Sequence, residues 1–232
     1  SAVSRVEAAE AYLERIEVLD GRVQAYVTVT AEEALKTATV AAQEILQGNH
    51  RGPMQGVPVA VKDQLQTAGI LTAGGSPVLS NNIPTEDATV ITNLKAAGAV
   101  LLGKLNMTEF ATTALSHQFD PPRNPWDLDR STGGSSSGSG AATAAFLCGS
   151  ALGEDTGGSV RLPAAWCGLA GIRPTYGRVS RYGVMPGVRS MDTVGPLART
   201  VADCAMPLAA ISGRDPKDKM SCSEPVPDYQ AA

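Results

Sequence analysis

Two Gly-Gly-Ser turns, Gly133-Gly134-Ser135 and Gly157-Gly158-Ser159, stand with their serines 24 residues apart in this 232-residue chain. Glycine lets a backbone come close to a reacting centre and adopt angles that side chains resist. A serine behind two glycines can sit at the tip of a turn, its hydroxyl exposed and neighbouring N–H groups converging on one point. Such a turn suits a nucleophile beside an oxyanion hole. Two of them this close suggest serine hydrolase chemistry, which then needs a base.

Histidine is a poor candidate for that base. Only His50 and His117 are present. His50 falls in the polar stretch Gln47-Gly48-Asn49-His50-Arg51-Gly52, which reads as a surface loop, and His117 lies in no recognisable Ser–His–Asp context. A lysine fits better. Residues 56–63, Gly-Val-Pro-Val-Ala-Val-Lys-Asp, form a short apolar run that ends in Lys62, as expected of a buried strand with a functional residue at its C-terminal end. Desolvation there lowers a lysine pKa, and the neutral amine can accept a proton from serine. A lone lysine would more often snorkel off a strand end into water. The two serine turns reverse that preference.

At these residues the chain resembles the amidase signature family, over about residues 6–229. The likeness is carried by residues 56–63, by Gly133-Gly134-Ser135-Ser136, by Asp155-Thr156-Gly157-Gly158-Ser159 and by residues 167–175, Cys-Gly-Leu-Ala-Gly-Ile-Arg-Pro-Thr. The resemblance implies a Ser–Ser–Lys triad in which Ser159 is the nucleophile, Ser135 the bridging serine and Lys62 the general base. It also implies an oxyanion hole built from the backbone N–H groups of Thr156, Gly157, Gly158 and Ser159, and a cis peptide bond between Gly134 and Ser135. The fold it implies is a layered α/β domain with a central mixed, largely parallel sheet flanked by helices. The chain departs from the family's usual pattern at Ser137, Gly138 and Ser139, and again at Glu154, where a small or hydroxyl residue is common.

Within the family, residues 123–130, 175–183, 215–218 and 225–229 are most similar to the ammonia-releasing subunits of tRNA-dependent amidotransferases. That likeness implies glutamine as the amide and a partner subunit that handles tRNA and ATP. Thr112-Thr113-Ala114-Leu115 departs from those proteins beside the expected substrate pocket, so a free-standing amidase acting on another small aliphatic or aryl amide stays open. A non-catalytic relative that keeps the fold for binding is a third reading, and the intact Lys62, Ser135 and Ser159 oppose it. The resemblance further implies one domain over residues 1–232, truncated at both ends and lacking the C-terminal part that supplies much of the pocket.

Composition fits a cytoplasmic enzyme. Hydrophobic residues make up 43% of the chain, enough for a buried sheet, and the scarcity of aromatics leaves the packing to Ala, Val, Leu and Ile. A net charge of −4 argues against direct gripping of nucleic acid or of an anionic membrane. Neither a signal peptide nor a membrane-length apolar run is legible. Cys148, Cys167, Cys204 and Cys222 lack paired spacing and have no histidine nearby, so neither metal nor cofactor is expected.

The elements that must hold these residues alternate. Val6, Ala9, Leu13 and Ile16 recur at helical spacing and predict a helix over 4–19. A strand is expected over 25–29, then a helix opened by a capping box at Thr30-x-x-Glu33 and ending near Gly48. Further expectations are a strand over 57–61, a helix over 85–97 closed by Gly98, a strand over 99–102 and a core helix over 140–147. A last helix starts at Thr200-x-x-Asp203 and is kinked or shortened by Pro207.

Overall fold

The computed structural model describes residues 3–112 and 117–231. The chain opens with helix α1, Arg5–Val23, whose start is set by a capping box: Ser4 Oγ accepts the Glu7 N–H at 3.1 Å and Glu7 returns a carboxylate to the Ser4 N–H at 2.8 Å. It runs past the expected end at residue 19, because Val23 adds to the buried stripe of Ala9 and Ile16, and stops where Gln24 turns left-handed at φ 57°. Strand β1, Tyr26–Val29, leads into helix α2, Ala31–Leu46. The capping box expected at Thr30 does not form. The Thr30 hydroxyl donates instead to the Leu101 carbonyl at 2.9 Å, so tertiary contact outcompetes the local cap.

Strand β2, Pro58–Lys62, is followed by helix α3, Thr89–Ala96, and strand β3, Val100–Leu105. The helix is shorter than the periodicity predicts. The Asp87 carboxylate accepts the Ala68 N–H at 2.8 Å and the Ala88 N–H donates to the Gln66 carbonyl at 2.8 Å, which ties the preceding residues to another loop. A small hairpin follows, β4 (Arg123–Asn124) and β5 (Asp127–Ser131), and then helix α4, Ser137–Ala144, which starts before the expected residue 140. Strand β6 (Ser150–Glu154), helix α5 (Arg161–Cys167), strand β7 (Ala170–Gly171), strand β8 (Val194–Ala198) and helix α6 (Val201–Ile211) complete the fold. Thr200 caps α6 as expected, accepting the Asp203 N–H at 3.1 Å. Pro207 does not end that helix, which continues to Ile211 because Leu208 and Ile211 beyond the proline belong to the core. No described helix is long and apolar enough to cross a membrane.

The main sheet has the order β1-β3-β2-β6-β8-β7. It is mixed: β3, β2 and β6 run parallel at its centre, and β1, β8 and β7 pair antiparallel outside them. Helices cover both faces. Ala60 of β2 packs with Ala9 and Ile16 of α1, Ala38 of α2 and Ala141 of α4, whereas its neighbours Val59 and Val61 pack with Ile91 of α3 and Ile211 of α6. Successive strand residues point to opposite faces. That alternation assigns Lys62 to the face of Ala60, the side covered by α4.

The start of α4 presses against the sheet so closely that residue 138 must lack a side chain. A Cβ built on Gly138 would lie 2.4 Å from the Ala25 carbonyl oxygen and 2.6 Å from the Asn106 backbone. The flanking serines, where the family's pattern differs, are buried and bonded: Ser139 Oγ donates to the Leu152 carbonyl at 3.2 Å, and Ser137 Oγ lies 2.9 Å from His117 Nε2. Gly138→Ala is therefore expected to destabilise the protein by about 1–3 kcal/mol, the usual cost of forcing extra volume into a packed site. Chemical denaturation measures this, and an unchanged midpoint would refute the close-approach argument.

Candidate active site

Lys62 stands at the C-terminal end of β2 and Glu154 at the C-terminal end of β6, strands that run parallel with Val61 opposite Leu152. The ends of parallel strands are where α/β sheets gather functional groups. Lys62 is completely buried, and its Nζ donates to Ser135 Oγ at 2.6 Å and to the Glu154 carbonyl at 3.3 Å. Burial pulls its pKa down from 10.5 to about 8, against the carboxylates of Glu154, Asp155 and Asp192, which push it up. The amine is therefore poised to exist neutral near physiological pH.

Ser135 is itself buried and lies just before α4, after a Gly134–Ser135 peptide bond that is cis, as the family resemblance implies. Ser136 anchors this turn to β6: its hydroxyl donates to the Glu154 carbonyl at 3.2 Å and accepts the Glu154 N–H at 3.3 Å. The Ser136 N–H donates to the Ser159 carbonyl at 3.2 Å, which ties the two serine turns together through the backbone. Among the described residues no hydrogen bond joins Ser135 Oγ to Ser159 Oγ. The structure thus brings Lys62 and Ser135 into direct contact, and sets Ser159 beside them at the wall of an open cleft.

The turn that carries Ser159 is organised by Asp155, to which the sequence alone assigned no role. Its buried carboxylate accepts the N–H groups of Gly158 (2.7 Å), Val160 (3.0 Å) and Arg161 (3.2 Å). It also takes two bonds from the Arg161 guanidinium at 3.0 Å each and lies 3.4 Å from Arg173. Burial pushes this carboxyl up, but the Arg161 side chain and the converging N–H groups outweigh it and hold the pKa below the usual value. An Asp folding its side chain back on the N–H groups that follow is ordinary turn chemistry, so the Asp before Thr-Gly-Gly-Ser was the available signal. Gly158 commits its N–H to Asp155, which leaves Thr156, Gly157 and Ser159 as the N–H groups of that set without a partner among the described residues.

A cleft of about 840 Å³ opens over this turn. Gly134, Thr156, Gly157, Gly158 and Ser159 line it, together with Phe110, Leu162 and Val188. Phe110 and Ala111 hold left-handed backbone at φ 47° and 56°, a conformation costly for residues with side chains and concentrated at ligand-binding segments. Thr112, the first residue of the segment that departs from the amidotransferase proteins, also lines the cleft, while Thr113, Ala114 and Leu115 lie outside the described residues.

A family model described as Amidase matches residues 7–232. The chain is 52% identical over 232 residues to the A subunit of a glutamyl-tRNA(Gln) amidotransferase from Moorella thermoacetica, an alignment that covers 99% of this chain and 48% of the relative. The chain thus spans about half the length of the curated relatives it matches. Among solved structures it is similar to a native peptide amidase from Stenotrophomonas maltophilia, with a TM-score of 0.91 and 38% identity over 99% of this chain and 49% of the other. It is also similar to the A subunit of the glutamyl-tRNA(Gln) amidotransferase from Thermotoga maritima, with a TM-score of 0.83 and 39% identity over 96% and 47% of the two chains.

Proposed function

The chain belongs to the amidase family, and from that premise we propose that it carries the catalytic centre of the glutamine-hydrolysing component of a tRNA-dependent amidotransferase. The observation that carries the chemical part is the 2.6 Å bond from a fully buried Lys62 to Ser135, whose chain neighbour Gly134 lines the same cleft as Ser159. In this reading Ser159 attacks the amide carbonyl while Ser135 passes its proton to neutral Lys62. The N–H groups of Thr156, Gly157 and Ser159 receive the oxyanion. Lys62, through Ser135, then protonates the amide nitrogen, the C–N bond breaks and ammonia leaves, and an acyl-enzyme remains until water removes the acyl group. The Ser135–Ser159 step tightens when substrate is bound, since catalytic hydrogen bonds are often long before the Michaelis complex forms.

The substrate assignment rests on the 52% identity to relatives named as glutamyl-tRNA(Gln) amidotransferase components. It brings with it a partner subunit that receives the ammonia. A second reading, an amidase that acts alone on another small amide, is favoured by the higher TM-score to the peptide amidase, 0.91 against 0.83. The test is an assay of the full-length protein with glutamine and with a panel of aliphatic and aryl amides. Ammonia release from glutamine, faster when charged tRNA and a partner subunit are present, is the expected result. Rapid turnover of simple amides with no glutaminase activity would discard the amidotransferase reading.

A further inference from the structure

Thr156 Oγ1 lies 3.0 Å from Glu154 Oε1 and 2.6 Å from Asp192 Oδ1. A hydroxyl has one proton to donate. It cannot satisfy two ionised carboxylates at once, so one of the two acids must supply the second proton. Their surroundings identify which. Asp192 accepts the N–H groups of Gly187 at 2.9 Å on one oxygen and of Val188 at 2.7 Å on the other, so both of its oxygens already serve as acceptors. The Glu154 carboxyl is wholly buried and accepts no backbone N–H among the described residues. Its other neighbours are Gln64 Nε2 at 3.3 Å and Lys62 Nζ at 3.7 Å, the latter beyond hydrogen-bond reach.

We propose that Glu154 is a neutral carboxylic acid that donates to Thr156 Oγ, whose own proton goes to Asp192, so that Lys62 stands beside a dipole and not a negative charge. Burial favours the protonated form first, Lys62 opposes it and Asp192 adds to it. The inference rests on Lys62 being the base. An ionised carboxylate 3.7 Å away raises the lysine pKa and favours the ammonium, whereas a neutral acid removes that pull and favours the free amine. Glu154 is thus a positioning residue that acts through Lys62. The same chain of bonds reaches Thr156, whose N–H, like those of Gly157 and Ser159, has no partner among the described residues. The other charged group facing this pair is Asp155, itself held by Arg161 and Arg173.

Two measurements test this. In full-length protein labelled with 13C at glutamate carboxyls, the Glu154 resonance, identified by its loss in Glu154→Gln, is expected to remain protonated up to about pH 8, where Lys62 loses its proton and ordinary glutamates have long ionised. Titration with the others near 4.5 would overturn the proposal. If Glu154→Gln does not fold, the wild-type spectrum alone decides, by whether any glutamate carboxyl stays protonated at that pH. In the second measurement, Asp192→Ala removes the acceptor of the Thr156 proton, so that Thr156 donates to Glu154 and Glu154 ionises. The acid limb of kcat/KM is then expected to move to higher pH by about 0.5–1 unit. A Glu154 that is already ionised predicts the opposite sign, because the variant would only remove a negative charge near Lys62. A limb that moves to lower pH or stays in place would overturn the proposal. Undiminished activity in Lys62→Ala would remove the base assignment and leave the spectroscopic result standing.

Discussion

Replacing Ser159 with alanine is expected to lower kcat/KM for amide hydrolysis by at least about 10⁴-fold, the scale on which serine nucleophiles are lost in hydrolases. The motivation is position. Ser159 is the half-buried serine at the cleft wall, next to the unpartnered N–H groups of Thr156 and Gly157, whereas Ser135 is buried against Lys62. Any rate that remains would come from the oxyanion donors and from binding alone. The Ser159 hydroxyl makes no hydrogen bond among the described residues, so the variant is expected to keep its thermal midpoint. Mass spectrometry after treatment with a serine-reactive phosphonate gives an independent check, with the adduct expected on Ser159 and absent from the variant. Near wild-type turnover in Ser159→Ala, or an adduct on Ser135, would mean that the two serines have been assigned in the wrong order.

Lys62→Met should lose about 10³- to 10⁴-fold in rate, toward the upper end of what a general base contributes. Methionine preserves most of the buried volume, so the loss reads proton transfer and not a cavity. Ser136→Ala is the comparison, because among the described residues the Ser136 hydroxyl hydrogen-bonds only to the Glu154 backbone and so supports the turn without a hydrogen bond to Lys62 or Ser135. Its loss is expected to be much smaller. In the wild type, kcat/KM should rise with pH through about 8, since the amine must be neutral to accept a proton and burial has brought its pKa down to that value. This limb should vanish in Lys62→Met. Equal losses in the two variants, or a limb that survives without the lysine, would displace Lys62 from the proton path.

The parts of this site written in local sequence were legible there. An apolar run ended by one charge marks β2 and places Lys62 at its tip, because a buried strand tolerates a lysine only where something receives it. Two glycines before a serine mark a turn whatever surrounds it, and both serine turns lie where that rule puts them. The helices with strong spacing, α1 above all, were legible for the same reason. Strand β6 was not. Ser-Ala-Leu-Gly-Glu carries little strand propensity, and it becomes a strand because β2 and β8 pair with it on both sides and bury all five residues. Thr30 offered a capping box by its spacing and gave its hydroxyl to β3 instead, since a partner 71 residues away in sequence lay within reach.

Glu154 marks the division most clearly. In sequence it stood out only as a residue unlike those usual at its position, with nothing to say what it would meet. Its chemistry depends on Lys62, 92 residues earlier, and on Asp192, which it reaches through Thr156. The direction of the Gly158 N–H was likewise hidden, because which donors of a turn stay free depends on where a neighbouring carboxylate folds back. Residue types, their spacing and the family resemblance they carry pointed to a kind of chemistry and to the three side chains proposed to perform it. Only the packing of β2, β6 and α4 decided which protons those groups hold, because burial and distance set protonation and neither is local to the chain.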